Sequence, residues 1–111
     1  MVLLTTTGAK TGAERTTPLV YRAADDGTIF VFGSKSGAPT DPAWFHNLVT
    51  NPQVTVGRGS ERFRATATPL EGPERDEIFA AHAAERPQFA EYEAKTDRVI
   101  PVVALRREPA A

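Results

Sequence analysis

The sequence predicts a mostly β fold with some α: a small, mainly antiparallel barrel of about six strands, with two to three helices packed outside it. Three observations carry this. The stretch Ile29-Phe30-Val31-Phe32 has no polar face, as expected of a strand buried on both sides. Phe63, Ala65 and Ala67 alternate with Arg62, Arg64 and Thr66, a period of two that leaves one face wet. The element order β-β-β-α-β-β-α-α-β contains hairpins and no regular βαβ alternation.

Each element follows from local signals. Val2–Thr6 reads as the first strand, and Thr7–Gly12 as a loop with two glycines. Arg15–Ala23 reads as one strand, in which Pro18 implies an edge or a bulge. Asp25-Asp26-Gly27 is a hairpin turn leading into the buried strand Thr28–Gly33. After the polar loop Ser34–Thr40, Asp41 is placed as a helix N-cap with Pro42 at the first helical position. That helix runs to about Val49, with Trp44, Phe45, Leu48 and Val49 on one face, and Asn51-Pro52 ends it. Gln53–Arg58 and Glu61–Leu70 form a hairpin around Gly59-Ser60. Pro73–Glu85 is a second helix, acidic in its first turn, and Pro87 breaks it. A short helix pairing Phe89 with Tyr92 follows, and Val99–Leu105 is the last strand.

At 111 residues the chain is read as a single domain over 1–111. With 41% hydrophobic and 24% charged residues, it is neither collagen-like nor disordered. No apolar run approaches the roughly 20 residues that span a bilayer, and the first residues lack a signal peptide's basic segment. There is no cysteine, which excludes disulfides, thiolate catalysis and cysteine-ligated metals. His46 and His82 lie far apart in sequence, so no metal site is expected, and both are read as surface or satisfied polar positions. The expected compartment is the cytoplasm. A net charge of −1 gives no ground for nucleic-acid binding. Residues 1–64, however, carry seven Lys/Arg against five Asp/Glu, and residues 65–111 carry six against nine. The basic half also holds most of the glycine–hydroxyl loops, which points to a small anionic ligand there.

Two segments carry that idea. Thr5–Arg15 combines glycines, hydroxyls, Lys10 and Arg15 at a strand–loop–strand junction, the residue types with which backbone N–H groups and cations hold an anion. It is not a Walker A loop, because neither the glycine spacing nor a following helix is present. A solvated hairpin loop explains the same residues. Gly33-Ser34-Lys35-Ser36-Gly37-Ala38 follows a buried strand and precedes a helix, so it reads as a second ligand loop or as a plain connector. Trp44, the sole tryptophan, either stacks on an aromatic ligand or anchors its helix in the core. Ser34, Tyr21 and Tyr92 are the candidate proton donors.

Taken in order, Leu3–Gly12, Arg15, Pro18-Leu19, Gly33–Ala38, Asp41–Leu48, Asn51-Pro52 and Thr96–Pro101 resemble the deazaflavin (F420)-dependent nitroreductase and quinone reductase family of split β-barrel oxidoreductases, known mainly from actinobacteria. The resemblance runs from residue 3 to about 105. It implies a split barrel that binds reduced coenzyme F420 and passes a hydride to a small planar acceptor: a quinone, nitroaromatic or activated enone. It places Lys10, Thr11 and Arg15 at the coenzyme's anionic phosphate and tail. Gly33, Ser34, Lys35 and Gly37 fall against the deazaflavin and its side chain, Ala43 and Trp44 along the ring system and tail, and Pro18 on the strand beneath. Ser34 and Tyr92 are the implied catalytic groups, and Val20, Tyr21, Phe89 and Tyr92 the implied acceptor pocket.

The sequence also departs from the family pattern. Of three tyrosines that members carry in the segment matching Arg86–Tyr92, only Tyr92 is kept, with Arg86 and Phe89 at the other two positions. Val20 replaces a further pocket tyrosine. Reduction of nitro prodrugs, a property of some members, is therefore not implied for this chain. Many members carry an extra N-terminal segment before the first strand; this chain starts almost at that strand, and no membrane attachment is expected. The alternatives are an FMN- or haem-binding split barrel and a non-catalytic F420-binding protein. A monomer or a homodimer is expected.

Overall fold

A computed structural model describes residues 1–109. The chain runs through β1 (Val2–Thr7), β2 (Glu14–Leu19), β3 (Tyr21–Ala23), β4 (Ile29–Phe32), a 3-10 turn at Lys35–Gly37, α1 (Ala43–Thr50), β5 (Gln53–Arg58), β6 (Glu61–Pro69), α2 (Gly72–Glu85), α3 (Gln88–Ala94) and β7 (Val102–Arg107). The strands make one antiparallel sheet in the order β2-β1-β5-β6-β7-β4-β3. This is the α+β split-barrel arrangement that was expected.

There are seven strands because the stretch Arg15–Ala23 is two strands rather than one. β2 pairs with β1 up to Val2↔Leu19, and Pro18 lies on this edge strand as anticipated. β3 pairs with β4, starting at Tyr21↔Val31, at the opposite edge of the sheet. The single residue Val20 therefore carries the chain from one edge of the curled sheet to the other.

Two apolar cores flank the sheet. Val2, Leu4, Val54, Val56, Ala65 and Ala67 fill the inner one, which α1 closes with Trp44 and Leu48. Phe30, Phe32, Val102 and Ala104 face outward and meet Phe79 and Phe89 of α2 and α3, with Leu70 and Ile100. β4 and β7 thus present alternate residues to both cores, which is why all four β4 side chains are buried. Each such large side chain contributes about 1.5–3 kcal/mol on burial.

Three local expectations are corrected. Asp41 does not cap α1: Pro42 occupies that position without a side-chain bond, and the Asp41 carboxylate accepts from Arg98 Nη1 at 2.7 Å instead. Val49 is 56% exposed, because an eight-residue helix turns only Trp44 and Leu48 fully inward. β7 begins at Val102 rather than Val99, since residues before it spend their polar groups elsewhere. Pro101 O accepts the Gly33 N–H at 2.9 Å. Ile100 O accepts Arg75 Nε and Nη2 at 3.1 and 2.9 Å. Arg75 is itself buried in α2, so it braces that helix to the approach of β7.

Candidate active site

Two adjoining cavities lie where the β1–β2 loop, the loop after β4 and α1 converge. The first, about 1030 Å³, is lined by Gly8, Ala9, Lys10, Thr11, Glu14, Arg15, Thr16, Thr17, Ala43, Trp44, His46 and Asn47. The second, about 410 Å³, is lined by Met1, Thr17, Pro18, Leu19, Val20, Phe32, Ser34, Lys35, Ser36, Pro42, Trp44, Gln88, Phe89 and Tyr92. Thr17 and Trp44 belong to both, so the two cavities lie side by side along one groove wall, a cationic one and a more apolar one.

The cationic end is a short loop pinned at both sides. Gly8 N–H donates to Ala13 O at 2.7 Å, and Gly12 N–H to Gly8 O at 2.9 Å. A side chain at Gly8 would meet Thr11 Oγ1 at 2.8 Å, so the closure needs glycine there. From α1, Asn47 accepts the Ala9 N–H at Oδ1 (3.1 Å) and donates from Nδ2 to Thr6 Oγ1 (3.2 Å). Lys10 and Arg15 are exposed and, among the described residues, engage no carboxylate and no hydrogen-bond acceptor. Unpaired cations on a fixed loop beside a large cavity suit an anionic ligand. Glu14 is the one acidic residue on this wall.

The apolar end rests on a constrained loop. Lys35 and Ser36 take φ of 45° and 53°, and Gly37 follows at 81°. Non-glycine residues in this left-handed region cost about 1–3 kcal/mol each. Arg98 holds the loop in place: Nη2 donates to Ser34 O (2.8 Å), Nε to Ala38 O (2.9 Å) and Nη1 to Asp41 Oδ1 (2.7 Å). At Gly37, any side chain would also approach Tyr92 O at 3.0 Å, so the loop packs directly on α3. Lys35 Nζ donates to Thr40 Oγ1 at 3.3 Å. Ser34 is buried at the pocket wall, and Tyr92 is half-buried, its ring 5.4 Å from that of Phe89 in an edge-to-face pair.

Most of the expected site residues therefore converge. Lys10, Thr11, Arg15, Ala43 and Trp44 line the first cavity, and Pro18, Val20, Ser34, Lys35, Phe89 and Tyr92 line the second with Trp44. Gly33 and Gly37 are buried beneath the loop and line neither. Tyr21 stands one compartment away, in a further cleft shared with Met1, Val20 and Arg86. Trp44 both anchors the core, at 6% exposed, and borders the groove, so its two readings hold together.

Sequence reasoning missed Asn47, Arg98 and His82. The first two lie within segments that carry the resemblance, but nothing in residue type gives their roles, since their partners are backbone groups or side chains distant in the chain. His82 is no surface histidine: it is 2% exposed, and its ring stacks on Phe32 with centroids 4.0 Å apart and packs edge-on against Phe89. Among the described residues, Nε2 has no hydrogen-bond partner. Burial, then the charges of Arg86 and Arg22, push its pKa below the ordinary 6.5. The helical spacing Arg75–Phe79–His82 (i, i+4, i+7) marks one inward face and would have revealed it.

Residues 1–107 match the family described as F420H(2)-dependent quinone reductase. An F420H(2)-dependent quinone reductase of Mycobacterium tuberculosis (strain H37Rv) is 41% identical over 111 residues, covering 96% of this chain and 72% of its own. A solved F420-H2 dependent reductase, FDR-A, superposes with a TM-score of 0.83 at 42% identity, covering 95% of this chain and 92% of that one. A second solved structure, described as a domain-swapped dimer, gives 0.84 at 42% identity, covering 95% and 78%.

Proposed function

The chain belongs to the F420H(2)-dependent quinone reductase family, and from that premise we propose how its own residues carry the reaction. It is an oxidoreductase whose cofactor is F420 rather than FMN or haem. Bound in the groove, reduced F420 supplies a hydride, and reduction of a quinone to its hydroquinone takes that hydride and one proton.

The observation that carries the residue assignment is that the two cavities adjoin, with Thr17 and Trp44 lining both. Lys10, Arg15 and Thr11, with no internal partner for either cation, bind the anionic phosphate and tail. Ala43 and Trp44 border the ring system and tail, and Pro18 lies beneath. Lys35 and the buried Gly33 and Gly37 shape the loop that presses against the deazaflavin. Val20, Phe89 and Tyr92 would hold a planar acceptor against the bound deazaflavin, since hydride transfer needs contact at about 3–3.5 Å. Ser34 Oγ or Tyr92 OH donates the proton to the reduced acceptor. Quinones are the leading acceptors, with nitroaromatics and activated enones as the wider class. The reading includes one functional domain over 1–111, a cytoplasmic location, and a monomer or homodimer with no nucleic-acid partner. Among the described residues, no helix is long and apolar enough to cross a membrane.

Titration with oxidised F420, followed by Trp44 fluorescence with FMN as control, tests the site. Saturable quenching by F420 alone is expected. Lys10→Ala should weaken it about tenfold, the lower end of the about 1.5–3 kcal/mol of a charged hydrogen bond, because Lys10 is exposed. Unchanged affinity in that variant would remove Lys10 from the coenzyme site.

A further inference from the structure

The apolar pocket does not end at its own wall. Met1 and Val20 line it and also line a second cleft of about 450 Å³, whose remaining walls are Tyr21 and Arg86. Both volumes fall within the about 300–1,000 Å³ of small-molecule sites. No acidic residue lines the second cleft among the described residues.

Arg86 is placed rather than loose at its backbone. It ends α2, its N–H donating to His82 O at 2.9 Å, and its carbonyl accepts the Phe89 N–H at 3.0 Å. It is thereby tied to the residue that forms the pocket wall. Its guanidinium, by contrast, is exposed and takes part in no ion pair or hydrogen bond among the described residues. The adjacent Glu85 does not neutralise it, because Arg22 Nη1 already holds that carboxylate at 3.0 Å. The Tyr21 ring is itself held in place by the Arg58 guanidinium, 5.0 Å from its centroid. An arginine fork and a phenol beyond an apolar slot are the donors that read a planar, two-oxygen anion.

We propose that Arg86 and Tyr21 form a subsite for a carboxylate carried by the hydride acceptor, so that the enzyme favours acidic planar acceptors over neutral ones with the same ring. This rests on the assignment of the apolar pocket to the acceptor.

The test compares a 1,4-naphthoquinone bearing a propionate side chain with its methyl ester, which share one ring and differ in charge. Two readouts are taken: kcat/KM with reduced F420, and direct binding to the protein by Trp44 quenching without coenzyme. Wild type should prefer the acid by tenfold or more in both. Arg86→Gln should bring the ratio near one, and Arg86→Glu should invert it. Retained F420 affinity reports that each variant is folded. Equal handling of acid and ester by wild type, or a ratio untouched by Arg86→Gln, overturns the subsite while leaving the reductase reading intact. Arg86-dependent preference for the acid in binding, with neither compound reduced, supports the subsite and overturns the acceptor chemistry. Neither bound nor reduced overturns both.

Discussion

Arg98→Ala should damage coenzyme binding from outside the groove. The guanidinium holds Ser34 O, Ala38 O and the Asp41 carboxylate at 2.7–2.9 Å. Hydrogen bonds to a charged group contribute about 1.5–3 kcal/mol each. Their simple sum overstates the loss, because the Asp41 side chain is 27% exposed and water can replace part of what is removed. About 3–5 kcal/mol is the expected total once the sum is discounted for that exposure. Part of it appears locally rather than in global unfolding. Lys35 and Ser36 sit at positive φ under this clamp, and once freed they relax to ordinary torsions. The loop must then be re-formed on binding, so F420 affinity should fall tenfold or more, at 1.4 kcal/mol per decade. Urea denaturation measures the global part and Trp44 quenching the local part. Arg98→Lys keeps the charge but cannot reach all three acceptors, and should fall between. Ser36→Gly removes the torsional strain, so in the Arg98→Ala background it should restore part of the lost affinity. A destabilised Arg98→Ala that binds F420 within twofold of wild type would refute the idea that the clamp pre-organises the loop.

Two further predictions concern Tyr92, on the pocket wall, and His82, buried behind it. Tyr92→Phe should lower acceptor turnover more than F420 affinity, measured as kcat against the quenching constant; a variant indistinguishable from wild type would take the hydroxyl out of the mechanism. His82 makes stability acid-sensitive. Its folded pKa lies below 6.5, so the unfolded chain takes up the proton first, and its contribution is complete above about pH 6.5 and is lost as pH falls towards the lower folded value. His82→Phe should flatten that limb of the denaturation profile, and an acid limb of unchanged slope would assign it to other groups.

Local pattern revealed much of this molecule. Ile29–Phe32 announced a doubly buried strand because both of its faces must satisfy apolar neighbours. The alternation from Arg62 to Ala67 gave the face of β6, and the two glycine–hydroxyl loops are the segments that border the two cavities. What stayed hidden was decided by partners distant in the chain. Nothing in Arg15–Ala23 signals that Leu19 answers to Val2 while Tyr21 answers to Val31. Asp41-Pro42 has the local form of a helix start, yet an arginine far along the chain claims the carboxylate. The carbonyls that Arg98 and Arg75 bind leave no trace in residue type, so neither brace was legible.

The passage at Val20 has a mechanical consequence. Along that seam the barrel is closed by the covalent chain, with β2 and β3 at opposite ends of the hydrogen-bonded order. Val20 also lines the apolar cavity. The slot can therefore widen or narrow through the torsions of one residue without breaking a ladder bond, whereas the opposite wall is held by close ring packing, His82 stacked on Phe32 and Phe89 edge-on against both. Acceptors of different breadth would be accommodated on the Val20 side alone, with the face that aligns the reacting ring left undisturbed.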